Sequence, residues 1–423
     1  MFPALNRPGT LLIGLALIAM VPARSQTWEV FDMASTGFPS DNITDIVQDQ
    51  SGNIWAATAW GLCRYDGTAW EIFQAGSSGL PDNVIRALAV DSLDRIWIGT
   101  QLHGVVVYDG SIWSSYDVDN SPLPDNEINS LAIDYRGWAW IGTYLGLLCY
   151  TGDEWRIYNT SDTAYGGQQL NGNTILHTAV RHDGLVAICT LNGGFHYLTD
   201  TSLTVHATYI DFFPDNTQNE VAFDLVNNER WLATPSQGLV RQGGPWYEGP
   251  WFQYTTNNSL LPSNAVNCVR VDAQSRVWFG TLLAGLGMRD QDGSFTNYTS
   301  TNSGLPDNTV QCVMVAADGS MWVGTAYGGL AHLSFTEAVA ETPAPAFNLF
   351  PNPCQGHVQL DRHGNAAPGH WRILDLSGRS VREGNLTAVP VVDIQIPALA
   401  PATYTFLLEG PNTRMARKLE VVP

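Results

Sequence analysis

Short apolar segments that alternate with polar positions recur along residues 27–335, and turns rich in Gly, Pro, Asn or Asp separate them. In one unit, VIRALAV at 84–90 alternates as a β-strand does, and IWIGT at 96–100, GVVVYD at 104–109 and IWSSY at 112–116 predict three more strands. An Asp-Gly pair at 109–110 favours a tight hairpin between the last two. No sustained helical periodicity is present, so the pattern predicts an all-β chain.

This four-strand unit is repeated. The first residue of its W-x-G-T step, or a close variant, is found at Trp55, Trp97, Trp140, Trp231, Trp278 and Trp322. The spacing is 42 residues from Trp55 to Trp97 and 47 residues from Trp231 to Trp278. The gap between Trp140 and Trp231 contains one more copy, at 184–195, which lacks the tryptophan. Seven copies of this period are typical of four-stranded propeller blades.

The two ends of the repeat array complement each other. The seventh copy stops after its third strand, at 328–335, and TWEVF at 27–31 matches the fourth-strand segment AWEIF at 69–73. We therefore expect the N-terminal strand to complete the last blade, which removes exposed sheet edges. The predicted fold is a seven-bladed β-propeller over residues 26–338. A solenoid is the alternative, but it would not need ends that complement each other.

The unit LPDN…WIGT…YDG…W resembles the two-component regulator propeller repeat, in six of its seven copies. The fourth copy reads LNGN at 170–173 in place of LPDN. The resemblance implies a sensor head of the kind found in bacterial hybrid histidine kinases, where paired propellers recognise polysaccharide fragments. Neither a kinase nor a transmembrane segment after the N-terminus is visible, so we expect recognition without direct signalling.

Both ends of the chain suggest export. An apolar stretch at 11–21 and small residues at 23 and 25 predict a signal peptide over residues 1–25. A Pro/Ala linker at 339–346 precedes alternating segments at 347–423, which predict a small Ig-like β-sandwich. Segments 349–353, 375–379 and 404–422 resemble the C-terminal sorting domain of the Bacteroidetes type IX secretion system, and a stray Ig-like module is the alternative. The candidate sorting residues are Pro351, Asn352, Pro353, Gly378 and Lys418. The resemblance implies the type IX machinery as a partner, export across the outer membrane, and a cell-surface or extracellular location.

Charge and cysteine content reduce the number of possible partners and cofactors. A net charge of −20 argues against nucleic acid or an anionic membrane as partner, since phosphate groups need a basic face. Cys63 and Cys149 share one repeat position and Cys268 and Cys312 share another, which favours small core residues over disulfides. No C-x-x-C spacing suggests zinc, and no cofactor is expected.

The candidate ligand site lies in the loops between the second and third strand of each blade, which vary while the frame repeats. They bring aromatic and polar side chains to one mouth of the propeller, where we expect a glycan or protein ligand: Trp60, His103, Tyr144, Gln237 and Tyr327. Packing of half-exposed aromatics at the rim is the alternative interpretation. The Asp-Asn pairs before each blade are expected to hold turns. The strand tryptophans are expected in the core: Trp55, Trp70, Trp97, Trp113 and Trp155.

No catalytic motif is present: neither a nucleophile elbow, a phosphate loop nor a dinucleotide fingerprint occurs. His177, His182 and His196 crowd the fourth copy without metal-ligand spacing, and we expect turn or rim positions for most of the histidines. The sequence therefore favours a non-enzymatic recognition module. A lyase or hydrolase that uses His103 or His177 and a scaffold in a surface complex are the alternatives.

Overall fold

A computed structural model describes residues 24–161, 169–200, 202–207, 213–243, 250–337, 347–362, 369–375, 379–387, 389, 391–396, 399–410 and 413–422. The chain divides into two compact units, of which one is Ser25–Thr336 and the other contains Glu337–Pro423. Residues 1–23 of the predicted signal peptide and the whole predicted linker at 339–346 lie outside the described residues.

The larger unit consists of four-stranded sheets. A strand β1 (Arg24–Phe31) and a one-turn helix α1 (Met33–Thr36) precede them. Sheets one and two contain β2 (Ile43–Gln48), β3 (Ile54–Thr58), β4 (Gly61–Tyr65), β5 (Trp70–Phe73), β6 (Ile85–Val90), β7 (Ile96–Thr100), β8 (Val105–Tyr108) and β9 (Trp113–Tyr116). Sheets three and four contain β10 (Ile128–Ile133), β11 (Ala139–Thr143), β12 (Leu147–Tyr150), β13 (Trp155–Tyr158), β14 (Ile175–Val180), β15 (Val186–Thr190), β16 (Phe195–Leu198) and β17 (Leu203–His206).

Three further sheets follow in the same unit. Sheets five and six contain β18 (Glu220–Asp224), β19 (Glu229–Ala233), β20 (Leu239–Gln242), β21 (Trp251–Tyr254), β22 (Val266–Val271), β23 (Val277–Thr281), β24 (Leu286–Arg289) and β25 (Phe295–Tyr298). Sheet seven contains β26 (Val310–Val315), β27 (Met321–Thr325) and β28 (Leu330–Glu337). Within each sheet the strands are called a to d in chain order.

The sheets form a closed ring. Strand a of each sheet contacts strand a of the sheets before and after it, and β26 of sheet seven contacts β2 of sheet one. The inner strands therefore surround a central channel, as they do in a β-propeller. The prediction of an all-β propeller is confirmed.

The N-terminal strand supplies the fourth strand of the last sheet, whose order is β1-β28-β27-β26. The Phe31 ring stacks on Trp322 in β27, with centroids 5.6 Å apart. Gln26 Nε2 donates a 2.8 Å hydrogen bond to the hydroxyl of Tyr298 in sheet six. Chain positions far apart in sequence thus meet at the junction of the ring, as the matching ends of the repeat predict.

Each residue of the W-x-G-T step has a separate physical task. The buried Trp97 donates from Nε1 to Asp91 Oδ2 at 2.9 Å, which satisfies an indole inside the core. A Cβ at Gly99 would lie 2.6 Å from Ile128 Cγ2 of the next sheet, so only glycine permits this close approach. The threonine of the step, Thr100, has a buried hydroxyl that holds the following loop by a hydrogen bond.

The core predictions are largely confirmed. All six cysteines are buried and unpaired, as their shared repeat positions predict. Trp55 and Trp97 are buried, but Trp70, Trp113 and Trp155 are only half-buried. These three lie at the start of strand d, the outermost strand of each sheet. At that edge only one side of each indole packs against the core.

The smaller unit contains two sheets. They are formed by β29 (Asn348–Phe350), β30 (His357–Asp361) and β33 (Val391–Gln395), and by β31 (Gly369–Leu374), β32 (Ser380–Leu386), β34 (Ala402–Gly410) and β35 (Thr413–Val421). One hydrophobic cluster joins both sheets, with Val358 from the first and Phe406 from the second fully buried in it. Two sheets that share one core agree with the predicted sandwich.

Four of the five candidate sorting residues lie at the start and near the end of this unit. Asn352 bridges to β35: its Nδ2 donates to Lys418 O and its Oδ1 accepts from Glu420 N, each at 2.8 Å. Pro351 and Pro353 are exposed, and Gly378 lies outside the described residues. In the described part of the chain, no helix has the length and apolar character needed to cross a membrane.

Candidate functional site

The loops between strands b and c lie on the same face as the linkers that precede strand a. Asp82, in such a linker, accepts a 2.9 Å hydrogen bond from Leu102 N in the b–c loop of its own sheet. Gly104 N, at the end of that loop, donates to Asn126 O in the linker of the next sheet at 3.0 Å. We call this surface, formed by the seven b–c loops and the linkers before strand a, the b–c face.

Every b–c loop is held by the threonine that ends strand b. Thr100 Oγ1 donates to Gly104 O at 2.8 Å and accepts from His103 N at 3.0 Å. The same bond from threonine to a glycine carbonyl closes the other six loops, at Thr58, Thr143, Thr190, Thr234, Thr281 and Thr325. The loops are therefore short, braced platforms whose outward side chains can vary.

The structure places the five predicted mouth residues in five different b–c loops, with unequal exposure. Trp60 is 59 % exposed, Tyr327 is 78 % exposed and Tyr144 is 36 % exposed. His103 is half-exposed, and its Nδ1 lies 3.4 Å from Asp82 Oδ2. Gln237 is partly buried and accepts a 3.0 Å hydrogen bond from Gln253 Nε2, so it is the least free of the five.

Exposed leucines on the same loops were not among the predicted ligand residues. They lie on the loops of four different sheets: Leu102, Leu145, Leu191, Leu282 and Leu283. Their signal in the sequence is an apolar residue between the strand-ending threonine and the next glycine, at a position that the threonine brace turns outward. Together with the aromatics they make the b–c face apolar in six of the seven loops.

The Asp-Asn pairs hold turns, as predicted. Asn83 Oδ1 accepts from Ala75 N at 2.7 Å, and Asp82 Oδ1 accepts from Val84 N at 3.0 Å. Equivalent asparagines accept a linker amide in other sheets, namely Asn126, Asn264 and Asn308. These side chains therefore shape the b–c face through its backbone.

A bulge in strand a directs polar side chains into the channel. In six sheets the pairing of strands a and b slips by one residue, for example between Ile85 and Ala87, and this leaves Arg86 unpaired. Most of these side chains tie neighbouring sheets together. For example, Asn129 Nδ2 donates to Ile175 O at 3.1 Å, and Asn267 Nδ2 donates to Val310 O at 2.9 Å. The positions line a cavity of about 190 Å³, here called the channel cavity.

Charged groups line the channel cavity where other repeats carry small residues. Asp45, His177 and Glu220 occupy a strand-a position that is alanine, serine or cysteine in the other four sheets. Glu220 is ion-paired with Arg270, and its Oε1 lies 3.2 Å from His177 Nε2. A position-by-position comparison of the seven copies of strand a would have revealed these departures. The expectation that most of the histidines are turn or rim residues is wrong: His177, His196, His206 and His332 lie in strands, and His196 is fully buried.

The pKa values of the two channel carboxylates, Asp45 and Glu220, are shifted in opposite directions. Burial inside the molecule raises the pKa of Asp45 to about 6, against smaller opposing effects of its bond from Leu88 N and the charge of Arg270. Burial alone would also raise the pKa of Glu220, but Arg270 and His177 together lower it to about 2. No group of three or more His, Cys, Asp or Glu side chains in the described residues is placed to hold a metal ion.

Five segments of the propeller match the family model of the two component regulator propeller, at residues 37–60, 79–101, 122–145, 260–282 and 304–327. They span the linker, strands a and b, and the b–c loop or its start in sheets one, two, three, six and seven. The chain therefore contains two-component regulator propeller repeats. A comparison with curated proteins finds no match.

Several solved structures share the fold. The extracellular domain of the hybrid two component system BT3049 from B. thetaiotaomicron superposes with a TM-score of 0.61 at 17 % identity, over 94 % of this chain and 54 % of that one. PorZ, a surface component of the type-IX secretion system of Porphyromonas gingivalis, gives 0.57 at 16 % identity, over 93 % and 60 %. Virginiamycin B lyase from Staphylococcus aureus gives 0.58 at 12 % identity, over 73 % and 99 %. The chain spans little more than half the length of the first two, and the likeness shows the propeller fold.

Proposed function

We propose that this chain is a recognition module, exported by type IX secretion, whose propeller binds a glycan or a protein partner through the b–c face. The observation that carries the proposal is the ring of exposed aromatic and leucine side chains on six braced loops. Exposed apolar side chains gathered on one face of a folded protein favour an interaction site there, because their contact with water is unfavourable.

The chemistry of the loops suits either class of ligand. The exposed rings of Trp60 and Tyr327 can stack on the apolar face of a sugar, with His103 available to hydrogen-bond a hydroxyl. The leucines, such as Leu102 and Leu283, add aliphatic surface that a protein partner would bury. A rigid frame with variable outward residues is how many binding proteins separate stability from specificity.

The location rests on separate support. The predicted signal peptide and the resemblance of residues 347–423 to a sorting domain both favour export. The two structural neighbours from Bacteroides and Porphyromonas are an extracellular domain and a surface component. The net charge of −20 agrees with a partner other than a polyanion.

Binding of the purified full chain to a panel of polysaccharides, followed by mass spectrometry of the recovered ligand, tests the function. An intact glycan that is retained specifically supports recognition. A shortened or unsaturated ligand contradicts it and identifies an enzyme. If no glycan binds while the chain is folded, the glycan arm is excluded and a protein-facing scaffold remains, to be identified by cross-linking on intact cells.

One observation favours the enzyme as second candidate. His177 and Glu220 lie 3.2 Å apart on the wall of the channel cavity, as an acid–base pair would. Its ion pair with Arg270 holds Glu220 in the charged form, which weakens it as a proton acceptor. If the chain is a lyase or hydrolase, His177→Gln abolishes product formation while ligand binding persists.

A further inference from the structure

A second cavity opens at the end of the channel away from the b–c face. It has a volume of about 390 Å³ and is lined by the C-terminal halves of several a strands, chiefly β14 and β18. It shares Leu131, His177 and Arg270 with the channel cavity. We call it the far-end cavity.

The titratable side chains that line the far-end cavity are all basic. They are His177, Arg181, His182 and Arg270, and no carboxylate is among the lining residues. The acids that pair with the two arginines lie outside the lining: Glu220 faces the channel cavity, and the exposed Asp183 accepts from Arg181 Nε at 2.7 Å. The charge of this cavity lining is therefore opposite in sign to that of the whole chain, whose net charge is −20.

Comparison between repeats shows that the fold does not require these bases. Arg181 stands where four of the other sheets have an aspartate that binds the core tryptophan, such as Asp49 with Trp55 at 2.8 Å. Sheet four has Ala187 in place of that tryptophan. Arg270 occupies a strand-a position that is Val, Ala or Met in the other six sheets. Removing a guanidinium from water costs desolvation energy, and Arg181 is buried while Arg270 is half-buried, so their presence at repeat-breaking positions points to a use.

The rest of the wall is apolar. Val221 and Leu131 are buried on it, Phe223 and Val271 are half-buried, and Leu225 is exposed at the opening. In addition, the Nδ1 atom of His177 is buried and has no hydrogen-bond partner among the described residues. A polar atom left in this state is unfavourable until a ligand or water satisfies it.

We propose that the far-end cavity binds a small carboxylic acid with a short apolar body. The carboxylate lies among the bases, where charge-assisted hydrogen bonds from guanidinium and imidazole donors are strongest. The apolar body lies against the valine, leucine and phenylalanine side chains. This site is distinct from the b–c face, and its occupancy is independent of the function proposed for that face.

Isothermal titration calorimetry of the full chain with octanoate, and with octanol as the neutral matched probe, tests the proposal. We expect one saturable octanoate site per chain and an affinity at least about tenfold above that for octanol. Ala179→Leu, which fills the cavity from strand β14, should abolish octanoate binding. The exposed His182→Gln should weaken it several-fold, and His103→Gln on the b–c face is the control that should leave it unchanged.

Equal affinities for octanoate and octanol would overturn the proposal, since the cavity would then be merely apolar. The absence of saturable octanoate binding at about 1 mM in the folded chain would also overturn it. If Ala179→Leu fails to fold, the comparison of His182→Gln with His103→Gln decides: an equal effect of both contradicts the assignment.

Discussion

Glycine in the W-x-G-T step sets how closely neighbouring sheets approach. At Gly142, an added Cβ would lie 2.3 Å from Ser130 Oγ and 2.7 Å from Ile175 Cγ2. Both neighbours belong to strands a of the channel wall, one in the same sheet and one in the next. The glycine at this position therefore permits close packing between neighbouring sheets. Most of the copies of the repeat in this chain have glycine there.

We predict that Gly142→Ala lowers the free energy of unfolding by about 1–3 kcal/mol, because an overpacked core must shift a neighbouring strand. Chemical denaturation measures the change, and Ser115→Ala, on the exposed side of β9, is the control. A Gly142→Ala chain as stable as wild type would show that the sheets can separate without cost.

Asp45 gives the channel a pH-dependent contribution to stability. Its pKa is raised from 3.8 to about 6 in the folded chain, so the folded state binds the proton more tightly than the unfolded state. Stability from this group is therefore present at low pH and declines as pH rises from about 4 to about 6. Glu220 acts oppositely, since its pKa is lowered and its contribution is lost only as pH falls below its usual range towards about 2.

We predict that Asp45→Asn gains stability relative to wild type as pH rises from 4 to 7, by roughly 1–3 kcal/mol. The amide oxygen can still accept the hydrogen bond from Leu88 N that Asp45 Oδ2 accepts at 2.7 Å. Urea denaturation at the two pH values measures the difference, in which the titration of Glu220, common to both chains, cancels. A difference that is independent of pH would contradict the assignment.

At the scale of the element, the b–c loop is a unit closed by one buried hydroxyl. We predict that Thr100→Val lowers the free energy of unfolding by about 1–2 kcal/mol, because Gly104 O and His103 N lose a partner inside the protein. Hydrogen exchange should accelerate in residues 101–104 and stay slow in β6. Unchanged exchange in the loop would show that the threonine does not brace it.

Sequence patterns predicted the strands well because every element is written several times. A turn or strand that is ambiguous once, such as the degenerate fourth copy at 184–195, is resolved by its neighbours in register. The closing strand β1 was predictable for the same reason, since it matches strand d of other sheets.

The site was less predictable. The b–c loops could be located, but the outward direction of Leu102 and Leu283 depends on the threonine brace, which is a three-dimensional feature. The channel charges depend on the strand-a bulge, which turns side chains by one register position. Alternation alone does not reveal such a slip, because the residues on either side keep their apolar pattern.

At the scale of the whole molecule, stability depends on closing the ring with β1. Trp28 packs tightly over Gly304, where an added Cβ would lie 2.3 Å from Trp28 Cβ, and Phe31 stacks on Trp322. We predict that deletion of residues 26–31 lowers the melting temperature by about 10 °C or more, because it exposes a strand edge and this aromatic packing. The single variant Gln26→Ala, which loses one side-chain hydrogen bond, should change it little. An unchanged melting temperature after the deletion would refute closure by this strand.

The claim that the b–c face is the binding surface is tested most directly by the affinity of one double variant. Trp60→Ala combined with Tyr327→Ala removes the two most exposed aromatic rings of that face, while Tyr135→Ala removes a 65 % exposed ring from a turn between strands a and b, at the opposite end of the strands. Affinity for the glycan or protein recovered with the wild-type chain is measured for both variants by calorimetry or surface plasmon resonance. We expect at least about a tenfold loss of affinity for the double variant and none for Tyr135→Ala. Wild-type affinity in the folded double variant, or an equal loss in the control, would contradict it.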